Sequence, residues 1–222
     1  MFVRRNLSDR VPTPEGEMHY VKQGSGYPLV LLHPLGISTW AWHTVIDSLS
    51  QHYTCYAFDM LGHGESDKPS RHFNIPDYAN ALDHACQILN IHRGHYVGNS
   101  VGAILAAEMA ASFPERLDKL VLAGCPVWDP RTAPQRLEDI SASYDEQGLV
   151  KPRTLEDMKV ATTFGHPKPE WVDATNQTRA QAGVWGRKLM ESLVYYDVMA
   201  RLPRIQASAT MVMYGEVDRL RN

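Results

Sequence analysis

The amino-terminal half of the chain alternates short apolar runs with segments of helical periodicity. The run at 28–34 (PLVLLHP) is continuously apolar, as expected for a strand that is covered on both faces, and 119–124 (KLVLAG) is predicted as another buried strand. From Pro76 to Ile91, apolar residues recur at helical spacing instead. Further strands are predicted at 18–24, 53–59 and 95–100, and further helices at 39–50 and 101–113. This alternation predicts an α/β fold with a mostly parallel sheet and helices on both faces.

The pattern changes after residue 126, where repeated prolines separate helical pieces and no strong strand is predicted until 209–215. We therefore predict a core domain at 1–126, a helical cap insertion at 127–205, and a return to the core sheet at 206–222 with a further buried strand. Large apolar side chains of the cap fill its interior or line an apolar pocket: Trp128, Met158, Phe164, Trp171, Trp185, Met190, Tyr195, Tyr196 and Met199.

Charge and composition exclude several classes of function. The 222 residues carry a net charge of -3, which argues against a nucleic-acid-binding face. No apolar stretch is long enough to span a bilayer, and the amino terminus has no apolar signal core. Three widely spaced cysteines are typical of a reducing, cytoplasmic setting. Metal and phosphate motifs are absent from the sequence, so we predict no metal, no cofactor, no nucleic-acid partner and no membrane partner.

One short motif suggests chemistry. Residues 98–102, GNSVG, place Ser100 between two glycines, with a strand predicted before the motif and a helix after it. A nucleophilic serine on a strand-to-helix turn needs flanking positions that carry almost no side chain, because the strand and the helix approach closely. The alternative is a turn of small residues in which the serine is incidental.

Four stretches taken in order resemble the α/β-hydrolase fold family, over residues 18–222. They are GNSVG at 98–102, LLHPLG at 31–36, DMLGHGESDKP at 59–69 and MVMYGEVD at 211–218. Within that family the chain is most similar to small capped esterases, lactonases and carbon–carbon bond hydrolases.

The resemblance implies a role for each matched residue. Ser100 corresponds to the nucleophile that forms an acyl-enzyme, and Gly98 and Gly102 to the flanking glycines of its turn. Oxyanion donors would be the backbone N–H groups of Val101 and Leu35. Leu35 is expected, with Gly36 as the less favoured alternative, because the family's usual glycine is Pro34 here and proline has no N–H.

The acid of the implied catalytic triad is Asp218, and Asp129, just past the strand at 119–124, is the rival. Four other residues near the matched loops are expected to be architectural: Gly62 and Gly64 shape a turn with Ser66, and His63 lies among them. His33 is interpreted as a residue that braces its own loop.

The family also implies a histidine beyond the acid, but only four residues follow Asp218. The final strand, its histidine loop and the last helix are therefore predicted to be missing, and His166 in the cap is the one histidine that could fold down as a substitute. The chain is interpreted as part of a longer hydrolase, with a naturally short binding protein or a histidine from a partner chain as alternatives. Without neighbours, the strand at 209–215 would be an apolar sheet edge through which a homo-oligomer could form.

The sequence thus predicts a serine-dependent acyl hydrolase for a small ester, lactone or related carbonyl substrate, which is a poor catalyst if the histidine is absent. The alternative is a non-catalytic protein that binds a small ligand on the same scaffold, and a third hypothesis is an interaction protein that pairs through its last strand.

Overall fold

A computed structural model describes residues 7–160 and 167–216, without the side chain of Val160. Within these residues seven strands form one sheet in the order β1-β2-β4-β3-β5-β6-β7. The strands are β1 Leu7–Thr13, β2 Gly16–Gly24, β3 Tyr27–Leu32, β4 Tyr53–Phe58, β5 Gly94–Asn99, β6 Leu117–Ala123 and β7 Ala209–Met213.

The sheet is mostly parallel, as predicted. β4, β3, β5, β6 and β7 pair in parallel register, while β2 pairs antiparallel with both β1 and β4. β1 was not predicted, because its sequence LSDRVPT is polar and contains Pro12, and most of its residues are exposed. It is an edge strand, where few apolar residues are required.

Helices cover the sheet on two faces, which confirms the predicted fold class. On β3, Val30 and Leu32 belong to a large core with the helices after β4 and β5, whereas Leu29 and Leu31 face a smaller core beside residues 39–50. The helices are α1 Ile46–Leu49, α2 Ile75–Ile88, α3 Val101–Ser112, α4 Ala133–Ser141, α5 Leu155–Val160, α6 Pro169–Ala182 and α7 Val184–Val194.

The segment 39–50 does not form the single helix that its periodicity predicts. It contains a 3₁₀ turn at Thr39–Trp42 and then the one-turn helix α1. Ser38 caps the 3₁₀ turn by accepting a hydrogen bond from the Trp40 N–H at 3.3 Å. The β-branched residues Thr44 and Val45 follow, and such residues lower helix propensity.

The strand predicted to be buried near the end of the chain is exposed. Met211, Val212 and Met213 of β7 are 56%, 57% and 49% exposed. β7 pairs with β6 on one side and forms an edge of the described sheet. Its apolar character predicts a buried strand, but no described helix packs on it closely enough to bury these side chains. Oligomer formation through this edge stays a prediction.

The segment between β6 and β7 contains α4 to α7, and its large side chains divide between the two predicted environments. Met158 and Trp185 are buried, whereas Tyr195 and Met199 are more than half exposed. Trp171 lies at a cavity described below. Phe164 lies outside the described residues. Interior packing therefore accounts for only part of this set.

All three cysteines, Cys55, Cys86 and Cys125, are buried and unbridged. Burial raises the pKa of each thiol, to about 11 for Cys55 and Cys125 and to about 12 for Cys86. These thiols therefore stay protonated near neutral pH. Among the described helices, none combines the length and the apolar character that a membrane span requires.

Candidate active site

Ser100 lies at the turn between β5 and α3 in a backbone conformation that is rare for a residue with a side chain. Its φ is 55° and its ψ is -119°. Such conformations cost about 1–3 kcal/mol and persist where the surroundings enforce them. Here the Ser100 N–H donates to the Ala123 carbonyl of β6 at 2.8 Å, and the Ser100 carbonyl accepts from the Ala103 N–H at 2.9 Å. The turn is thus fixed from both sides.

The two glycines of the motif are required by close contacts of the backbone. A Cβ added to Gly98 would lie 2.1 Å from the Gly102 carbonyl oxygen, and a Cβ added to Gly102 would lie 2.2 Å from the Leu32 carbonyl oxygen. Neither separation is sterically possible without moving the backbone. The sequence therefore folds as a sharp turn here because β5, α3 and β3 approach more closely than any side chain permits.

The loop after β3 fixes the direction of a second backbone N–H. The Pro34 carbonyl accepts hydrogen bonds from His33 Nδ1 at 2.8 Å and from the Ile37 N–H at 3.3 Å. In a trans peptide the C=O and the following N–H point in opposite directions. The Leu35 N–H therefore points away from these two donors. Val101 is the first residue of α3, so its own N–H has no acceptor within the helix.

His33 uses both ring nitrogens to hold this loop. Its Nε2 accepts from the Met60 N–H at 3.0 Å, so the neutral ring carries its proton on Nδ1 and donates it to the Pro34 carbonyl. Burial lowers the pKa of His33, although the nearby charge of Asp59 opposes this effect. A neutral, fully bonded ring fits the predicted bracing role.

Asp59 is the buried anchor of the DMLGHGESDKP turn, and the sequence reasoning missed it. Its carboxylate binds His19 Nδ1 at 2.7 Å, the Thr39 N–H at 2.6 Å and the Glu65 N–H at 3.0 Å. Burial disfavours its charged form, but the hydrogen bonds, that from His19 foremost, keep its pKa below the usual value. A Cβ on Gly64 would lie 2.1 Å from the carboxylate. The feature of the sequence that could have identified Asp59 is its position directly after a buried strand.

A cavity of about 270 Å³ opens beside the turn and the loop. Asn99, which precedes Ser100, and Pro34 form part of its wall. Its other walls are mostly apolar or aromatic, and Trp171 of α6 contributes to them. The remaining lining residues are Ile37, Trp40, Ala41, Trp42, His43 and Thr44. The space suits a small ligand with an apolar part.

The structure does not test the predicted acid or the histidine that could substitute as the base. Asp218 and His166 lie outside the described residues. The rival acid Asp129 accepts from Arg131 Nε at 2.9 and 3.0 Å, and the Arg131 guanidinium keeps its pKa at about 2. Within the described residues, no histidine donates to or accepts from Ser100 Oγ.

Residues 7–160 and 167–216 contain no group of three or more histidine, cysteine or carboxylate side chains that could hold a metal ion. The geometry of this region is instead that of a serine on a strained turn, next to a loop with a fixed N–H and an apolar cavity.

Comparison with known proteins identifies the fold. A family model described as the alpha/beta hydrolase fold matches residues 27–220. The chain belongs to the α/β hydrolase family. A 2-hydroxy-6-oxononadienedioate/2-hydroxy-6-oxononatrienedioate hydrolase of Burkholderia vietnamiensis is 32% identical over 222 aligned positions, covering 92% of this chain and 76% of that protein. As an α/β hydrolase, the chain has hydrolases of small substrates among its relatives.

Two further similarities extend this picture. An uncharacterized protein of Mycobacterium tuberculosis is 38% identical over 99 residues, which are 45% of this α/β hydrolase but only 29% of that protein's length. The chain thus spans less than a third of the length of that relative. The enol-lactonase of Burkholderia xenovorans has the same fold, with a TM-score of 0.70 and 16% identity over 96% of this chain and 93% of that chain.

Proposed function

We propose that this chain is a serine-dependent acyl hydrolase acting on a small ester, lactone or related carbonyl substrate through an acyl-enzyme at Ser100. The observation that carries the proposal is the positive φ of Ser100, between two glycines at which no side chain fits. A strained serine between a strand and a helix is expected where the hydroxyl must reach a substrate.

In the proposed reaction, Ser100 Oγ attacks the carbonyl carbon of the substrate, and its proton passes to a general base. The negative charge that develops on the carbonyl oxygen would be bound by the N–H groups of Val101 and Leu35. Collapse of the tetrahedral intermediate expels the leaving group and leaves an ester on Ser100, which water then hydrolyses. Asp218 would orient the base, in keeping with its place in the matched motif.

Relatives support the substrate class. The similar protein of Burkholderia vietnamiensis is named as a hydrolase of 6-oxo dienedioates, and that of Burkholderia xenovorans as an enol-lactonase. Both names describe hydrolysis of small oxygenated molecules, and the cavity of about 270 Å³ beside Asn99 would hold a substrate of that size.

The proposal is tested by labelling the chain with a fluorophosphonate and mapping the labelled peptide by mass spectrometry. We expect one phosphonylated serine, Ser100, with no label on it in Ser100→Ala. The exposed Ser141 of α4 supplies the control variant Ser141→Ala, which should label at the same rate as the unchanged chain. A label on another serine, or equal labelling of Ser100→Ala, would refute the assignment.

The lack of a histidine beside Ser100 Oγ among the described residues gives a second measurement. A triad without one member retains only ~10³–10⁴-fold acceleration over water. Because no described histidine contacts Ser100 Oγ, added imidazole should act as an external base and accelerate both phosphonylation and p-nitrophenyl acetate hydrolysis. This acceleration should disappear in Ser100→Ala. Fast, Ser100-dependent turnover that imidazole leaves unchanged would show that the chain already holds its base.

The same lack of a described histidine partner favours a second candidate function, a non-catalytic protein that binds a small ligand. In that case Ser100 would resist phosphonylation with or without imidazole. A small carbonyl compound would still bind in the cavity and raise the melting temperature.

A further inference from the structure

A clip of hydrogen bonds holds the segment before α5 against one face of α6. Asn176 Oδ1 accepts from the Arg153 N–H at 2.8 Å, and Asn176 Nδ2 donates to the Arg153 carbonyl at 2.8 Å. One turn further along α6, Arg179 Nη2 donates to the Lys151 carbonyl at 3.3 Å. Residues three apart lie on the same helix face, so the clip brings the Arg153 side chain next to Arg179.

These two guanidinium groups lack the partners that a partly buried charge requires. In the described part of the chain, neither forms an ion pair with a carboxylate, and Arg179 Nε is buried without an acceptor. Burial and then the charge of Arg153 lower the pKa of Arg179 to about 10, and burial lowers the pKa of Arg153. Buried charges in proteins are normally paired, so two adjacent unpaired cations favour an anion from outside the chain.

Other charged and polar groups nearby do not fill this need. Asp157, whose charge acts on Arg153, already accepts from the Thr154 N–H at 2.7 Å and from the Thr154 hydroxyl at 2.8 Å. Tyr144, which acts on Arg179, is a neutral phenol whose pKa burial raises. Asp157 keeps its negative charge and raises the pKa of Arg153, but in the described structure neither Asp157 nor Tyr144 forms an ion pair or a hydrogen bond with either guanidinium.

Arg179 lies next to the loop that carries the proposed oxyanion donor. A Cβ on Gly36 would lie 3.7 Å from Arg179 Cγ, so the stem of this arginine covers the residue after Leu35. Trp171, eight residues earlier on α6, lines the apolar cavity beside Pro34 and Asn99. Two turns of helix separate Trp171 from Arg179, which places an aromatic and a cationic side chain on one face of α6.

We propose that Arg153 and Arg179 form a carboxylate-binding subsite, and that the substrate is a small carboxylate whose apolar part occupies the cavity lined by Trp171. The location beside the reacting serine rests on the proposed function, but the binding itself does not. Two guanidinium groups present several N–H donors to the two oxygens of a carboxylate, which gives charge-assisted hydrogen bonds.

The test measures ligand binding to the Ser100→Ala variant by calorimetry, with 4-phenylbutyrate and its uncharged amide as matched probes. We expect the carboxylate to bind at least about tenfold more tightly than the amide, because hydrogen bonds to charged groups are worth more than neutral ones. Arg179→Gln and Arg153→Gln should each remove about tenfold of the carboxylate affinity and leave amide binding unchanged. Arg179→Lys keeps the charge and should lose less.

Arg187→Gln is the matched control, because Arg187 on α7 already pairs with Glu191 at 3.0 Å. It should leave the binding of both probes unchanged. Equal affinity for carboxylate and amide, including no binding of either, would overturn the proposal, as would an equal loss in Arg187→Gln. If inorganic sulfate binds more tightly than the carboxylate, the pair is a site for another anion and the carboxylate assignment is wrong. Since Ser100→Ala cannot form an acyl-enzyme, failure here is distinct from failure of Ser100 labelling.

Discussion

Two clusters of buried or partly buried charged side chains differ in whether their charges are paired within the described structure. Glu108 of α3 accepts from Arg201 Nε at 2.7 Å, from Arg201 Nη2 at 2.9 Å and from Ser112 Oγ at 2.7 Å, and Tyr196 donates to it as well. Arg153 and Arg179, by contrast, lie side by side, and neither forms an ion pair with a carboxylate of the described structure. The first cluster is complete without a ligand, whereas the second is not.

This difference indicates that the first cluster stabilises the fold, whereas the second is suited to bind a ligand. The Glu108 cluster joins the helix that follows Ser100 to the segment that precedes β7, and every acceptor oxygen of its carboxylate has a donor. Such a network stabilises one arrangement of the fold and offers nothing to a ligand. An incomplete cluster has the opposite property, since its hydrogen-bonding capacity is satisfied only when something binds.

Breaking the complete cluster should give the largest effect on stability. Arg201→Met leaves the Glu108 carboxylate, 2% exposed, without its cation, and we expect the free energy of unfolding to fall by about 3 kcal/mol. Urea denaturation followed by circular dichroism measures it. The exposed Arg204 provides the control, since Arg204→Met should change stability by less than about 0.5 kcal/mol.

The double variant Glu108→Gln/Arg201→Met should recover at least half of the loss, because no buried charge is left without a partner. If Arg201→Met costs no more than Arg204→Met, the Glu108 cluster is not the stabilising contact that its geometry indicates.

His63 shows a third way to bury a titratable group, because its ring is buried in the neutral form. The ring is fully buried, its Nε2 has no partner within the described residues, and burial lowers its pKa to about 3. Below a pH of about 6.5 the unfolded chain binds a proton here that the folded chain does not, so acid favours unfolding. From pH 7 to pH 5 this single group should remove about 2 kcal/mol of stability.

Urea midpoints measured across pH 5–7 test this expectation. His63→Asn should flatten the dependence of stability on pH, because asparagine does not titrate. His52→Asn, which replaces an exposed histidine, should leave the slope as it is. If the dependence of stability on pH is unchanged in His63→Asn, the His63 ring is not buried in the neutral form.

The turn at Ser100 could be predicted from the sequence because its signal is local. Two glycines, a serine, an apolar run and a helix of small residues all lie within about twenty positions, and their steric meaning follows from the spacing. The α/β fold was predictable for the same reason, since β3 is a continuous apolar run and short strand-like and helical segments alternate along the first half of the chain. The edge strand β1 was not predictable, because most of its residues are polar and exposed to solvent.

The charged clusters could not be predicted, because they depend on contacts between distant residues. Glu108 and Arg201 are 93 positions apart, and nothing in either neighbourhood indicates a pair. Arg153 and Arg179 lie in a segment whose prolines and helices predict only a cap. What distinguishes them is the absence of a described partner, which appears only when the side chains are placed in three dimensions. The assigned acid, Asp218, remains a sequence prediction outside the described residues.

The smallest expected effect on stability comes from the incomplete cluster, and it sharpens the contrast with Glu108. Arg179→Gln removes a cation that is repelled by Arg153 and leaves no carboxylate behind, so the ligand-free chain should change by less than about 0.5 kcal/mol. Urea denaturation at low and high salt measures this, and salt should stabilise the unchanged chain more than the variant, since it screens the repulsion. Arg187→Gln, which breaks the half-exposed pair with Glu191, should lose a similar small amount, but without that salt response. A loss in Arg179→Gln as large as that in Arg201→Met would mean that Arg179 already has an anionic partner, and its guanidinium would then not be free to bind a substrate.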